Sequence, residues 1–154
     1  MKETTLCYLE RDDAYLMLYR NKKKHDPNAG KWIGIGGKLE AGETPDACLL
    51  REVYEETGLT LTAYTYRGVV NFQSDQYDNE RMHVYTATGW DGVLHPCDEG
   101  ELRWIPKAEL FTYPMWEGDA LFLRALYRDE PFFRLTLTYR GDTLISSSLS
   151  PSTP

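Results

Sequence analysis

The stretch GKLEAGETPDACLLREVYEETGL, at residues 37–59, sets glycines, an arginine and glutamates at fixed offsets around one predicted helix. Thr44 is suited to the N-cap of that helix and Pro45 to its first position. Gly58 is suited to the residue just past the last turn, where a left-handed conformation is common. These signals predict a helix over residues 45–57.

The glutamates of this helix share one side of it. At about 100° per residue, Glu52, Glu55 and Glu56 lie close together around the helix axis. We expect a sheet to cover the opposite side, which carries Ala47, Leu50, Val53 and Tyr54. Like charges at this density repel one another, and hard oxygen ligands suit Mg²⁺ or Mn²⁺. The alternative interpretation is a solvated helix face without a metal.

The spacing resembles the signature of the Nudix hydrolase family, which reads Gly, five residues, Glu, seven residues, Arg-Glu, an apolar residue, any residue, Glu-Glu, any residue, Gly, apolar. The matching positions are Gly37, Glu43, Arg51, Glu52, Val53, Glu55, Glu56, Gly58 and Leu59. At an average usage of roughly 6% per identical position, chance gives such a match in about one chain per million. The resemblance implies an α/β (α+β) chain with the Nudix fold, an α/β/α sandwich around a mixed β-sheet.

The resemblance also implies roles for the signature residues. Glu52, Glu55 and Glu56 are expected to be catalytic metal ligands for Mg²⁺, with Mn²⁺ as a substitute. The carbonyl of Gly36 is expected to be a further ligand. The structural members of the motif are expected to be Gly37, Glu43, Arg51 and Gly58, with the carboxylate of Glu43 placed where it can pair with Arg51.

Related enzymes often take a general base, or another metal ligand, from an acid outside the signature. Asp98, Glu99 and Glu101 are the candidates in this chain, and Glu99 fits best because it lies five residues before Trp104. A polar loop before a strand is the alternative explanation for all three acids.

Within the family, the chain is most similar to the MutT-like 8-oxo-dGTP diphosphatases of mammalian type. Outside the signature this similarity rests on residues 30–38, 102–104, 114–116 and 141–143. It implies that Trp116 stacks on a base and that Asp119 bonds to the base edge; the alternatives are a core tryptophan and an acid at a helix start. The other implied substrate-binding residues are Ile33 and Lys38.

Two departures from that pattern concern the base. Ile33 replaces an asparagine and offers no side-chain hydrogen bond, and Gly118 replaces the first of two adjacent acids. Selectivity for oxidised purines is therefore open, whereas the metal chemistry is unaffected. The basic run at residues 22–24 either steers a triphosphate to the site or forms a solvated loop.

Composition restricts the class of protein. The 154 residues fit a single domain, assigned to residues 1–145, followed by a Ser/Pro-rich and flexible tail at residues 146–154. A net charge of -7 disfavours a nucleic acid polymer as partner, and no apolar run is long enough to span a membrane. With three cysteines far apart, we expect reduced thiols and a cytoplasmic protein.

Segments rich in β-branched, aromatic and aliphatic residues predict the remaining strands, and a segment that is apolar throughout predicts the second helix. A hairpin is expected from residues 4–9 and 14–19, and a second helix at residues 120–127. Further strands are expected at residues 64–72, 81–88, 102–105, 133–139 and 143–145.

The predicted activity is Mg²⁺-dependent hydrolysis of a nucleoside triphosphate to a monophosphate and pyrophosphate, as in cleansing of the nucleotide pool. One alternative is hydrolysis of another nucleoside diphosphate linked to a group X, such as ADP-ribose or a dinucleoside polyphosphate. Another is a non-catalytic nucleotide-binding regulator. The expected partner is a small nucleotide, and the protein is expected to be a monomer or a homodimer.

Overall fold

The computed structural model describes residues 1–22 and 26–151. Within these residues the chain forms eight strands and two α-helices. In chain order these are β1 (Lys2–Arg11), β2 (Ala14–Arg20), β3 (Trp32–Ile33), α1 (Pro45–Thr57), β4 (Thr60–Ser74), β5 (Glu80–Asp91), β6 (Gly100–Pro106), α2 (Glu117–Tyr127), β7 (Phe133–Arg140) and β8 (Thr143–Pro151). A 3-10 helix, Lys107–Thr112, follows β6 and was not expected from the sequence.

The strands form a mixed sheet in the order β3-β2-β1-β5-β4-β7-β8, with β6 paired to β2. The β1–β5 and β4–β7 pairs are parallel, and the other pairs are antiparallel. This arrangement confirms the predicted mixed sheet.

The predicted hairpin is right only near its turn. Asp12 and Asp13 have positive φ angles of 51° and 61°, which suit a tight two-residue turn. Beyond the turn, β1 and β2 pair only at Glu10–Tyr15 and Arg11–Ala14. The first part of β1 leaves β2 and pairs with β5, because β5 offers a parallel ladder of eight residues. The two halves of the sheet therefore share β1.

Each helix packs on its own hydrophobic core, and the two cores lie on opposite faces of the strands. Along β1, Tyr8 belongs to the core beneath α2, whereas Cys7 and Leu9 belong to the core beneath α1. This alternation follows from the two-residue repeat of a strand. Phe122 of α2 and Leu49 of α1 are both fully buried in their respective cores. The layers are thus helix, sheet and helix, as predicted.

The orientation predicted for α1 is wrong except at Val53, which is buried as expected. Ala47 is exposed, and Leu50 and Tyr54 are 37% and 59% exposed, so they do not face the sheet. The buried face instead carries Cys48, Leu49, Val53, Glu56 and Thr57. The helix is turned so that the side bearing Glu56 lies inward, where a backbone N–H satisfies its carboxylate. Apolar and acidic residues thus share one face.

The flexible tail predicted for residues 146–154 is wrong over residues 146–151. These residues continue β8, which pairs with β7 in antiparallel register from Arg140–Thr143 to Phe133–Pro151. This segment has no long apolar run, and it forms a strand because β7 offers hydrogen-bonding partners along its length. Residues 152–154 lie outside the described part of the chain.

All three cysteines are free and buried, in agreement with the predicted reduced thiols. Among the described residues, no helix has the length and apolar character that crossing a membrane requires.

Candidate active site

Local signals set the bounds of α1 as predicted. The Thr44 hydroxyl accepts a hydrogen bond from the Ala47 N–H, at 3.2 Å. Gly58 adopts a left-handed conformation with φ of 79°, and its N–H donates to the carbonyl of Tyr54. A Cβ at this position would come within 2.4 Å of the His95 ring. Both caps are therefore fixed by groups next to the helix, and they place the glutamates in register.

Arg51 ties this helix to the preceding loop. Its Nε and Nη2 each donate to Glu43 at 2.8 Å, which confirms the predicted pair. The same guanidinium donates to Glu52 at 2.7 Å, to Glu55 at 3.3 Å and to the Lys38 carbonyl. The hydrogen bonds from Arg51 lower the pKa of Glu43 to about 2. Bidentate pairing of this kind fixes direction as well as distance.

Two glycines bring the loop against both the helix and β1. A Cβ on Gly36 would lie 1.9 Å from the Thr5 carbonyl oxygen, and one on Gly37 would lie 2.4 Å from the Glu52 carboxyl carbon. The Gly36 N–H donates to Glu56 at 3.2 Å, and the Gly37 carbonyl accepts from the Thr5 N–H. No larger residue fits this close approach of backbone to carboxylates.

Three carboxyl groups meet beside these glycines. The Glu56 side chain is buried, and Glu52 has a side chain that is 15% exposed. Burial, then the hydrogen bond and charge of Glu99, raises the pKa of Glu56 to about 9. Burial also raises the pKa of Glu52, against the opposing effect of Arg51. These shifts reflect the burial of the acids and their mutual repulsion, which the Arg51 guanidinium beside Glu52 only partly offsets.

A cavity of about 420 Å³ opens onto this cluster. The predicted residues that line its acidic end are Gly36, Gly37, Lys38, Glu52, Glu56 and Glu99. Glu55 does not line it; its side chain is 55% exposed and is turned to Arg51. Of the other two candidate bases, Asp98 is exposed and Glu101 pairs with Arg103 at 3.0 Å. Only Glu99 among the three reaches the acidic cluster.

The far end of the cavity is lined by Ile33, Trp116 and Asp119, the other predicted substrate-binding residues. Trp116 also belongs to the core, with its ring 5.2 Å from that of Tyr139, so its two interpretations are compatible. Asp119 lies in the first turn of α2 and is 8% exposed. Burial is the main cause that raises the pKa of Asp119 to about 7. No described residue donates a hydrogen bond to its carboxyl group.

The structure explains the glycine that replaces an acid before Asp119. A Cβ on Gly118 would lie 2.4 Å from a methyl group of Leu137 and 2.9 Å from the Tyr139 hydroxyl. That hydroxyl accepts the Gly118 N–H at 2.7 Å. A larger residue at position 118 would therefore require the Leu137 side chain or the Tyr139 hydroxyl to move.

Three further residues at the cavity had no signal in the sequence. Asn28 accepts a hydrogen bond from Trp116 Nε1 at 2.8 Å. The charges of Arg20 and Asp26 face each other nearby, with Nε and Oδ2 2.9 Å apart but not aligned as a hydrogen bond. Asn28 contacts Trp116 and Arg20 contacts Glu99 across long stretches of the chain, so local patterns do not indicate these contacts. Of the basic run at residues 22–24, Lys22 is exposed, and the other two lysines lie outside the described residues.

The acidic end suits a divalent cation by the chemistry of its donors. In the described side-chain arrangement, no three acids, histidines or cysteines already surround a common point as ligands. The carboxylate of Glu56 is nevertheless buried, that of Glu52 is partly buried, and both line the cavity together with Glu99. Hard oxygen donors are those that Mg²⁺ and Mn²⁺ prefer. A cation among them would favour the charged forms of these acids, which burial and mutual repulsion disfavour.

Comparison with known proteins identifies the family. The NUDIX domain matches residues 2–126. An uncharacterized Nudix hydrolase of Bacillus subtilis is 29% identical over 98% of this chain and 96% of its own. The oxidized purine nucleoside triphosphate hydrolase of Danio rerio is 30% identical over 82% of each chain. The crystal structure of the MutT protein of Bacillus halodurans superposes with a TM-score of 0.88 at 27% identity, covering 99% of this chain and all of that one.

Proposed function

The chain belongs to the NUDIX family and is a Nudix hydrolase, and we propose that it hydrolyses a nucleoside triphosphate to the monophosphate and pyrophosphate with Mg²⁺. One observation carries this proposal. A single cavity joins the Glu52, Glu56 and Glu99 carboxyl groups to the Trp116 indole and the Asp119 carboxyl group. A substrate that fits it has an anionic part at one end and an aromatic, hydrogen-bonding part at the other.

In this proposal the acidic end holds the metal and the reacting phosphates. Glu52, Glu55 and Glu56, with the carbonyl of Gly36, are the ligands of Mg²⁺, for which Mn²⁺ can substitute. When bound, such an ion neutralises phosphate oxygens and lowers the pKa of a coordinated water. Glu55 reaches the site after its side chain turns from Arg51, a rotation that its exposure permits.

Residues beside the cluster orient the nucleophile and the phosphate chain. The carboxylate of Glu99 accepts the proton of the attacking water, since it borders both the cavity and Glu56. The ammonium group of Lys38, at the cavity edge, attracts the triphosphate. Gly36 and Gly37 allow substrate to approach the backbone because neither carries a side chain.

At the other end, Trp116 and Asp119 recognise the base. The buried Asp119 carboxyl is available for bonding to a base edge, and its pKa of about 7 allows the protonated form to donate. Ile33 contributes an apolar wall. We propose oxidised purines such as 8-oxo-dGTP as substrates, in line with the name of the Danio rerio relative. The associated role is cleansing of the nucleotide pool, which supports DNA repair in the cytoplasm.

A panel assay tests this function. The purified protein is incubated with normal and oxidised nucleoside triphosphates, ADP-ribose and a dinucleoside polyphosphate, with Mg²⁺ or with a chelator. We expect pyrophosphate and monophosphate to be released from a triphosphate when Mg²⁺ is present and not when the chelator is present. Cleavage of ADP-ribose or the dinucleoside polyphosphate without turnover of any triphosphate would show that the rival Nudix activity is correct. Light scattering of the same sample tests the expected monomer or homodimer.

A further inference from the structure

One line of polar contacts runs from the base end of the cavity to the signature helix. Trp116 Nε1 donates to Asn28 Oδ1 at 2.8 Å, and the Asn28 N–H donates to Asp26 Oδ1 at 3.0 Å. Asp26 Oδ2 lies 2.9 Å from Arg20 Nε, and Arg20 Nη1 lies 3.5 Å from Glu99 Oε2. Glu99 and Glu56 line the same cavity. Arg20 is the middle link of this line.

The surroundings of Arg20 restrict how it can move. Its side chain is 11% exposed, and that of Asp26 is 4% exposed. The Arg20 N–H donates to the Lys31 carbonyl, and its carbonyl accepts from the Gly30 N–H, so both main-chain groups are held by the loop. Across the sheet, Arg20 is paired with Gly100, the residue after Glu99. A Cβ on Gly100 would lie 1.8 Å from the Tyr19 carbonyl oxygen, so the strands approach closely here.

We propose that Arg20 is a positioning residue, which holds Glu99 beside Glu56 and joins it, through Asp26 and Asn28, to the indole of Trp116. This inference rests on the proposed hydrolysis and goes beyond it. The guanidinium presents a rigid fork, so one arm contacts Asp26 and another contacts Glu99 without rotation of the side chain. A substrate base that contacts Trp116 is therefore linked, through Asn28 and Asp26, to the Arg20 side chain that positions Glu99. Recognition and chemistry are coupled by contact.

Kinetics distinguishes this role from direct binding of phosphate by Arg20. In Arg20→Met we expect kcat to fall about 100-fold, the scale of a misplacement of about 1 Å, with KM within about twofold of the parent value. Arg20→Lys restores the charge but not the fork, and should recover only part of kcat. The matched control is Arg128→Met, which breaks an exposed pair with Glu130 and should leave both constants unchanged.

Loss of one partner leaves a buried charge uncompensated, so Arg20→Met can also weaken the fold. The double variant Arg20→Met/Asp26→Asn removes both charges and keeps the test valid. It should melt near the parent temperature and retain the loss in kcat. A normal kcat in this folded double variant, or a raised KM with normal kcat, would overturn the proposal.

The coupling itself is measured by a double-mutant cycle with Trp116→Leu. We expect Trp116→Leu to lower kcat in the parent protein and to lower it much less in the Arg20→Met/Asp26→Asn background. Equal losses in both backgrounds would mean that the two ends act independently. The crystal structure of the double variant supplies a readout that needs no turnover: Glu99 should shift away from Glu56. If Glu99 stays in place there, the inference fails; if the parent protein hydrolyses no triphosphate, the proposed function fails instead.

Discussion

The Arg51 guanidinium and the Glu43 carboxylate face each other through two hydrogen bonds of equal length, 2.8 Å. The remaining donors of Arg51 contact Glu52, Glu55 and the backbone at Lys38. One planar group therefore connects the loop, the helix and two proposed metal ligands. A lysine at this position offers a point charge without the fork.

Arg51→Lys should accordingly lower both stability and activity. We expect activity to fall about 10- to 100-fold, as for other groups that orient metal ligands, and the melting temperature to fall as well. Thermal unfolding and initial rates measure the two effects. Arg128→Lys, an exposed exchange just past the end of α2, is the control. Equal behaviour of the two variants would show that Arg51 contributes charge only.

Replacing the acids separately tests the proposed metal site. Glu52→Gln, Glu55→Gln and Glu56→Gln should each reduce Mg²⁺-dependent hydrolysis at least about 100-fold while the far-ultraviolet spectrum remains unchanged. Calorimetric titration with Mn²⁺ should show weaker binding in all three. Glu109→Gln changes an exposed acid on the 3-10 helix and should behave as the parent protein. Full activity in the Glu55 and Glu56 variants would exclude these two residues as metal ligands.

Asp119 should make the stability of the fold depend on pH. Its pKa is raised from 3.8 to about 7, so the folded state keeps a proton that the unfolded state has lost between these values. Its contribution is therefore full below about pH 4 and is lost as the pH rises through 7, with a slope of at most about 1.4 kcal/mol per pH unit. Denaturant unfolding of the parent and of Asp119→Asn measures the difference. From pH 4 to 7 the parent should lose stability relative to Asp119→Asn. If the difference in their free energies of unfolding stays constant over this range, the raised pKa of Asp119 is contradicted.

Removal of the second half of β8 should destabilise the protein. A chain that ends after Ile145 leaves part of the β7 edge without its hydrogen-bonded partner and removes the Leu149 position opposite Leu135. We expect a lower melting temperature and a lower urea midpoint. A chain that ends after Pro151 keeps every β8 pair and is the control. An unchanged melting temperature in the shorter chain would restore the interpretation of these residues as a dispensable tail.

The sequence predicted those parts of the site that depend on near neighbours. The bounds of α1 were predicted because Thr44, Pro45 and Gly58 act within a turn of the helix. The Glu43–Arg51 pair was predicted because the family motif carries it. The rotation of α1 was not predicted. The inward position of Glu56 was missed because its hydrogen-bond donor, the Gly36 N–H, lies twenty positions away.

Contacts between distant parts of the chain escaped prediction for the same reason. Asn28 reaches Trp116 across 88 positions, and nothing in the local sequence of either residue indicates the other. The strand pairing of residues 146–151 was missed because a polar, serine-rich segment has weak intrinsic preference for a strand. There the ladder offered by β7 decides the structure.

The parallel pairing of β1 with β5 also has a consequence for folding kinetics. The Thr4 hydroxyl donates to Glu80 across 76 positions, and the same two strands form walls of the cavity. Loops of this length close slowly, and a high contact order lengthens folding times. The first part of β1 can therefore form its parallel hydrogen bonds only after β5 has come into position. We therefore expect the cavity to form late in folding, once β1 has paired with β5.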